Sequence, residues 1–313
     1  MKIGIIGAGG VGSATAFALI MRGVARKIIL IDQNRKKAEA EAEDIAHATP
    51  FAYANKIRTG DYTDLKGSEI VIITAGANQK PGQTRNDLLA VNVEIFKQII
   101  PQVIKNAPDA ILLIAANPVD VMTRVALELS GLPEERVFGS GTVLDTARLR
   151  TLLGYHLGVS PKSIHANVLG EHGDSEVIIW SNAIAGTIQI EQLASAIKKP
   201  LTPATKQSIE DDVRNAAYHI IEGKGSTTFG IAGALTRICQ AVGSNEYAIL
   251  NVSSHHKNIE NVADICMSMP CIIGKRGIHS KLFPDFSSQE HNLLAHSAKT
   301  IKSFTTEAMK YIK

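Results

Sequence analysis

Apolar residues fall along this chain in two rhythms, and the change between them divides it. In the first half, short apolar runs alternate with longer stretches of helical period. Residues 2–6, 27–31, 69–74 and 110–115 are continuous apolar runs of strand length, and 56–59 and 137–139 are shorter ones. Such runs, bounded by breakers, read as strands covered on both faces. Between them, residues 10–22, 35–48, 85–106, 119–130 and 142–157 carry a helical pattern. Pro50 helps to end the second helix and Gly131 stops the fourth. Strands and helices in alternation predict a parallel, doubly wound sheet.

Beyond residue 160 the pattern changes. Residues 164–169 read as a buried strand, and Asp174 is placed to cap a helix running through Trp180 and Ala183. Residues 205–222 and 228–242 read as long helices, 247–253 and 262–273 as antiparallel strands, and 287–313 as a final amphipathic helix. This half is α+β, with no internal repeat and no linker before it. The expected fold class is therefore α/β: a doubly wound parallel sheet over 1–142, then an α+β substrate domain over 143–313, the two sharing an interface.

Several polar and glycine-rich stretches sit where these strands end. The first strand runs into Gly7-Ala8-Gly9-Gly10-Val11-Gly12, a G-x-G-x-x-G turn that opens a helix. Gly7 permits the tight turn, Gly9 lets backbone approach a pyrophosphate, and Gly12 lets helix and strand pack closely. The helix N-terminus offers its free N–H groups to phosphate. The second strand ends in Asp32, twenty residues past Gly12. A carboxylate there hydrogen-bonds ribose hydroxyls and repels a 2′-phosphate, which favours NAD over NADP; nearby Arg35 argues the other way.

The fourth strand leads into Asn78-Gln79-Lys80-Pro81-Gly82-Gln83-Thr84-Arg85, polar and rich in breakers. It reads either as a mobile lid carrying an arginine or as a solvated loop. Asp145 and Arg148 lie three apart on one predicted helix and hence share a face, which an ordinary intrahelical ion pair also explains. Residues 170–174 are Gly-Glu-His-Gly-Asp, so His172 stands at the C-terminal end of a strand, where ligands collect in open α/β sheets. Histidine suits acid–base work near neutral pH, although a lone histidine is more often a half-buried structural residue. His255 and His256 are adjacent and would point apart on a strand, and they read as exposed loop or strand residues.

Composition narrows the function classes. A 313-residue chain that is 45% hydrophobic and 20% charged has ordinary globular proportions. Its formal charge of +3, with no basic tract, speaks against nucleic acid as a partner. No signal peptide and no membrane span are expected. Cys239, Cys266 and Cys271 lack zinc-ligand spacing and cannot close a disulfide set in pairs. They read as small core residues in a reducing, cytoplasmic compartment, with no metal site.

In this order, Asn-Gln-Lys-Pro-Gly-x-Thr-Arg (78–85), Asn-Pro-Val-Asp (117–120), Gly-Ser-Gly-Thr-x-Leu-Asp-Thr-Ala-Arg (139–148) and Gly-Glu-His-Gly-Asp resemble the lactate/malate dehydrogenase family, most closely its bacterial L-lactate branch. The resemblance covers nearly the whole chain. It implies a Rossmann-type domain, NAD as cofactor, and reversible hydride transfer between NADH and pyruvate giving L-lactate. His172 would then be the acid–base, Asp145 its orienting carboxylate, Arg148 the clamp on the substrate carboxylate, and Arg85 the group polarising the carbonyl. Asn117 and Thr227 would line the substrate and nicotinamide site, and Ile231 would press on the nicotinamide ring. Neutral Gln79 stands where malate dehydrogenases generally carry arginine, which favours pyruvate over oxaloacetate. Gln83 replaces the glutamate of many relatives, and residues 253–261 lack the turn expected of the family and read as a surface hairpin.

The resemblance also implies a homotetramer activated by fructose 1,6-bisphosphate at Arg150 and His165. Arg150, two residues past Arg148, would point away from it around the helix. Two other readings stay open: a malate or other L-2-hydroxy-acid dehydrogenase, and a non-catalytic NAD-binding protein that keeps the fold.

Overall fold

The isoleucine-rich runs of the first half are buried on both faces, with Ile3, Ile5, Ile70, Val71, Ile72 and Ile73 fully removed from solvent. The computed structural model describes residues 1–53, 55–77 and 85–312, and side chains in the last range from residue 88 onward. In chain order the first half runs β1 (Lys2–Ile6), α1 (Gly10–Met21), β2 (Lys27–Ile31), α2 (Arg35–His47), β3 (Lys56–Thr59), β4 (Ile70–Ile73), α3 (Arg85–Asn106), β5 (Ile111–Ile114), α4 (Val119–Ser130), β6 (Val137–Gly139) and α5 (Val143–Leu157). The second half runs β7 (Ile164–Leu169), β8 (Val177–Ala185), β9 (Ile188–Gln189), α6 (Ile190–Ala196), α7 (Pro203–Lys224), α8 (Phe229–Gly243), β10 (Ala248–Ile259), β11 (Val262–Gly274), β12 (Gly277–Lys281) and α9 (Ser288–Lys310).

The first six strands form one parallel sheet in the spatial order β3-β2-β1-β4-β5-β6. Winding proceeds outward from β1 to β3, then restarts at β4 on the other side of β1. The crevice beyond the C-terminal ends of β1 and β4 is thus the switch point where such sheets bind ligands. One face packs on α1, α2 and α8 through Leu19, Ala38 and Leu235, and the other on α3, α4 and α9 through Phe96, Val125 and Ala308. Gly131 takes φ +61° past α4, a left-handed cap that a side chain would strain.

The second half completes this sheet. Ser253 on β10 pairs antiparallel with Gly139 on β6, and β11 and β12 extend the order to nine strands among the described residues. A separate sheet joins β7, β8 and β9. Three expectations need correction here. Residues 177–185 are strand β8, paired antiparallel with β7, and not a helix capped by Asp174; their β-branched start Val177-Ile178-Ile179 suits a strand with a buried partner. The hairpin of β10 and β11 is longer than the alternation suggested, and strand β12 went unread. His256 is buried against Phe283, while His255 is held between Glu134 and Asp264, so neither is an ordinary exposed residue. The three cysteines are free and buried, as their apolar neighbours predict. Among the described residues no helix is long and apolar enough to cross a membrane.

The loop after β7 is pinned from two sides. Gly170 and Ser268 on β11 exchange two backbone hydrogen bonds of 3.0 Å, and Glu171 N donates to Ser297 Oγ on α9 at 2.8 Å. Gly170 has φ +89°, and a Cβ there would stand 2.7 Å from Ser297 Oγ. Both strain and crowding exclude a side chain. Gly170→Ala should therefore cost about 1–3 kcal/mol. A thermal unfolding midpoint equal to that of the wild type would show that the loop absorbs the change.

Candidate active site

The loop pinned at Gly170 delivers His172 to the C-terminal side of the central sheet. Its imidazole Nδ1 lies 2.6 Å from Asp145 Oδ2, and the other oxygen, Oδ1, accepts from Arg148 Nη1 at 2.7 Å. Asp145 is 1% exposed, against 23% for the His172 side chain and 13% for Arg148. The carboxylate accepts a hydrogen bond from Nδ1–H, which fixes the ring's orientation and leaves Nε2 for a reacting oxygen. A guanidinium has five N–H donors, so one bond to Asp145 leaves Arg148 others for a ligand carboxylate.

Side-chain hydrogen bonds fasten α5 to β7 and so set this geometry. Thr142 Oγ1 donates to Val168 O at 2.5 Å, Val168 N donates to Thr146 Oγ1 at 3.0 Å, and Asn251 Nδ2 reaches Thr146 Oγ1 and Asn167 Oδ1, both at 3.0 Å. On the far side of His172, its backbone N donates to Asp120 Oδ2 at 2.8 Å. Asp120 lies in the first turn of α4.

Burial alone would push the His172 pKa down. The Asp145 carboxylate, with Asp120 and Glu176 behind it, outweighs burial and lifts it to about 9. Burial pulls Asp145 the other way, but the charges of His172 and Arg148 hold its carboxyl below the ordinary value. Burial also raises Asp120 to about 6 and Glu176 to about 8. Histidine in its acid form beside an ionised carboxylate is a proton donor at neutral pH.

The glycine-rich turn fits a dinucleotide. No atom lies within 4 Å of where a Cβ on Gly9 would stand, while a Cβ on Gly12 would meet Gly7 O at 1.9 Å. The first position is open to a ligand and the second is closed by packing. Gly9 caps α1 with no side-chain hydrogen bond, leaving N–H groups for phosphate. Val11, half-buried in the first turn of α1, packs against the core below. Asp32 accepts from Ala8 N (2.7 Å) and Asn34 N (2.8 Å), and each oxygen keeps a second lone pair for a ribose hydroxyl. Arg35 is committed to Glu39 at 3.0 Å and Asp61 at 3.1 Å, which removes the argument for a 2′-phosphate.

The other expected residues are placed unevenly. Asn117 is exposed past β5, and its carbonyl accepts from Asn92 Nδ2 at 2.9 Å. Thr227 is half-buried in the turn between α7 and α8, and its neighbour Thr228 overhangs the glycine turn, 2.8 Å from where a Cβ on Gly10 would be. Ile231 is half-buried on α8 against the core. Arg150 donates from Nε to Ala166 O at 3.0 Å, away from the Asp145 side that Arg148 serves, though both arginines border one groove of about 640 Å³. His165 is exposed on β7. Gln79 and Gln83 lie outside the described residues; Arg85 opens α3, its side chain likewise outside them.

Sequence reasoning missed Asn92, Asp120 and Glu176. Buried Asn92 also accepts from Ala77 N at 2.7 Å, so it ties the exits of β4 and β5 together. Its signal was a polar residue on the apolar stripe of a helix. Asp120 was the last residue of Asn-Pro-Val-Asp, but nothing local showed that it would meet His172.

Comparison with known proteins agrees with this geometry. The family model described as lactate/malate dehydrogenase, NAD binding domain, matches residues 1–139, and the one described as lactate/malate dehydrogenase, alpha/beta C-terminal domain, matches 142–312. An L-lactate dehydrogenase of Thermus aquaticus is 51% identical over 302 residues, covering 96% of this chain and 97% of its own. One from Allorhizobium ampelinum is likewise 51% identical, with the same coverage. A lactate dehydrogenase crystal structure from a Medee basin deep-sea metagenome superposes with a TM-score of 0.95 at 37% identity, over 98% of both chains. With both halves matched, the chain belongs to the lactate/malate dehydrogenase family.

Proposed function

We propose that the chain reduces pyruvate to L-lactate reversibly, with the residues at the end of β7 and on α5 supplying proton and grip. The observation that carries this reading is the buried Asp145 carboxylate shared between His172 and Arg148. NAD(H) is the cofactor and, when bound, supplies or takes up the hydride at C2 of the substrate. Gly7, Gly9, Val11 and Gly12 form its phosphate cradle, Asp32 takes the ribose, and Asn117 and Ile231 flank the nicotinamide. Protonated His172 gives its Nε2 proton to the C2 oxygen as that oxygen gains charge. Asp145 stabilises the imidazolium before transfer and keeps the ring in one orientation. Arg148 clamps the substrate carboxylate bidentately, Arg85 polarises the carbonyl, and Thr227 closes the substrate side. The L-lactate dehydrogenase names of the relatives support pyruvate as the 2-oxo acid. Residues 1–142 form the cofactor domain and also lend Gln79 and Arg85 to the substrate, while 143–313 form the substrate domain and lend Ile231 to the nicotinamide.

His172→Asn should lower turnover by about 10²–10⁴-fold while NADH still binds. In the wild type, only the protonated form is competent for reduction. The kcat/KM for pyruvate should therefore be level below the raised pKa of His172, near 9, and fall tenfold per unit above it. Near-normal turnover in the asparagine variant would remove His172 from the chemistry.

Gln79 carries the choice of substrate in this reading. A cation at that position would pair with the second carboxylate of oxaloacetate and be left unpaired by a methyl group. Gln79→Arg should shift the ratio of kcat/KM from pyruvate towards oxaloacetate by at least about tenfold. An unchanged ratio would mean that residue 79 does not meet the substrate side chain.

We further propose a cytoplasmic homotetramer activated by fructose 1,6-bisphosphate through Arg150 and His165. Two observations support the effector site: Arg150 reaches the carbonyl of Ala166, next to His165, and His165 is exposed on β7, where a phosphate could meet it from outside the fold. Such an effector acts by binding the active arrangement more tightly. Pyruvate saturation should sharpen to lower KM with the bisphosphate in the wild type and not in Arg150→Gln. Equal responses in the two proteins, or none in the wild type, would end the proposal.

A further inference from the structure

The side of His172 opposite Asp145 is occupied by a second buried carboxylate. Asp120 is 2% exposed and reaches the His172 backbone N–H with Oδ2 at 2.8 Å. Its other oxygen, Oδ1, is buried beside the Ser253 hydroxyl on β10, a neutral donor that offsets only part of the cost of burying the charge. A carboxylate in this place is costly, because an ion loses its hydration and regains only part of it. An asparagine would fit the same surroundings without that cost: its amide oxygen would accept from His172 N, and its NH₂ would donate to Ser253 Oγ. A backbone staple alone therefore does not account for the charge.

The neighbouring charges show what the negative charge does. His172 is faced by Asp145 and Arg148 from α5, by Glu171 and Glu176 of its own loop, and by Asp120 from α4. The groups presented by β10, β11 and α9 are the neutral hydroxyls of Ser253, Ser268 and Ser297. Glu176 has Arg214 on α7 behind it, a cation that offsets its charge once it ionises, which burial delays to about pH 8. Glu171 is turned to Ser175, whose N and Oγ it accepts. Asp145 is shared with Arg148, so its charge is already matched. Arg124, one turn beyond Asp120 on α4, is spent on Glu128 at 3.0 Å and Asp264 at 2.9 Å. Asp120 is thus a buried carboxylate beside His172 with no lysine or arginine on it among the described residues. Asp145, Arg148 and protonated His172 sum to one positive charge, and Asp120 brings the cluster to zero. The first turn of α4 also favours an anion there.

We propose that Asp120 is a positioning residue for the proton donor: its carboxylate holds the His172 backbone through Oδ2 and places a second negative charge beside the imidazolium. This rests on the reading of His172 as proton donor. Asp120 touches neither substrate nor cofactor; it acts on how firmly His172 keeps its proton. With burial lifting its own pKa to about 6, Asp120 is ionised throughout the range in which His172 would otherwise begin to lose that proton.

The test is the pH dependence of kcat/KM for pyruvate at saturating NADH, in wild type, Asp120→Asn, Asp120→Ser and His172→Asn. Asparagine keeps the hydrogen bond to His172 N and removes only the charge; serine gives a second neutral variant should the first not fold. The alkaline limb should move to lower pH by about one unit in a neutral variant, which is about tenfold in kcat/KM above both limbs. A variant that merely loosened the loop would lower the plateau and leave the limb in place. A limb that stays put or moves to higher pH, with His172→Asn inactive, overturns the role of Asp120 and leaves that of His172 standing. An active His172→Asn overturns the proton-donor reading and this inference with it.

Discussion

One buried carboxylate, Asp145, held between His172 and Arg148, fixes the geometry of the site. Asp145 lies almost wholly out of water, a position that an unpaired ion cannot hold without large cost. Its two oxygens are divided between His172 Nδ1 and Arg148 Nη1, so the proposed proton donor and the proposed anion clamp share one fixed point. Removing one partner of a buried pair typically costs about 3–5 kcal/mol, because the other charge is left stranded. The site is for that reason stiff: neither cation can swing away without exposing Asp145 to the apolar interior. The threonines and asparagine that tie α5 to β7 extend the same constraint outward, fixing the helix that carries Asp145 against the strand that leads to His172.

The continuity of the central sheet explains how two halves of different architecture act as one site. The parallel strands bring the glycine turn, Asp32 and Asn117 to one edge, which is where cofactor chemistry collects. Strand β6 then accepts β10 as an antiparallel neighbour, and β11 in turn holds Gly170 by a pair of backbone hydrogen bonds. His172 is therefore anchored to the sheet that carries the cofactor turn, through three strands and no flexible joint. Buried Asn92 performs a related task across the crevice, linking the backbone after β4 to that after β5.

The parallel half was legible because its strands are continuous apolar runs separated by helices of clear period, each ended by a proline or glycine. The glycine turn and Asp32 were legible because they end β1 and β2, and His172 because it follows the apolar run of β7; Asp145 and Arg148 were legible only as a pair three apart on α5 and through the family motif. The second half was harder to read. Residues 177–185 carry a strand whose burial depends on its partner β7, and an acidic residue before an apolar stretch looks like a helix cap when that partner is not in view. His256 was misplaced because its cover comes from Phe283, 27 residues on, which local alternation cannot show. Asp120 and Asn92 escaped for the same reason: a polar residue on a helix declares its partner only once the chain has closed around it.

The charge balance around His172 also links substrate binding to proton holding. With His172 protonated, Asp145, Arg148, His172 and Asp120 together carry no net charge. A substrate arriving as a carboxylate and settling on Arg148 adds a negative charge that strengthens the hold on the imidazolium proton. By thermodynamic reciprocity, the protonated enzyme must bind that anion more tightly than the neutral one. In the proposed mechanism the proton needed at the C2 oxygen is thus most firmly in place when there is a 2-oxo acid to receive it. Transfer to the developing alkoxide then removes the positive charge from the imidazole and the negative charge from the oxygen in one step. That cancellation happens beside a buried carboxylate, and it favours the step most when water is excluded from the crevice.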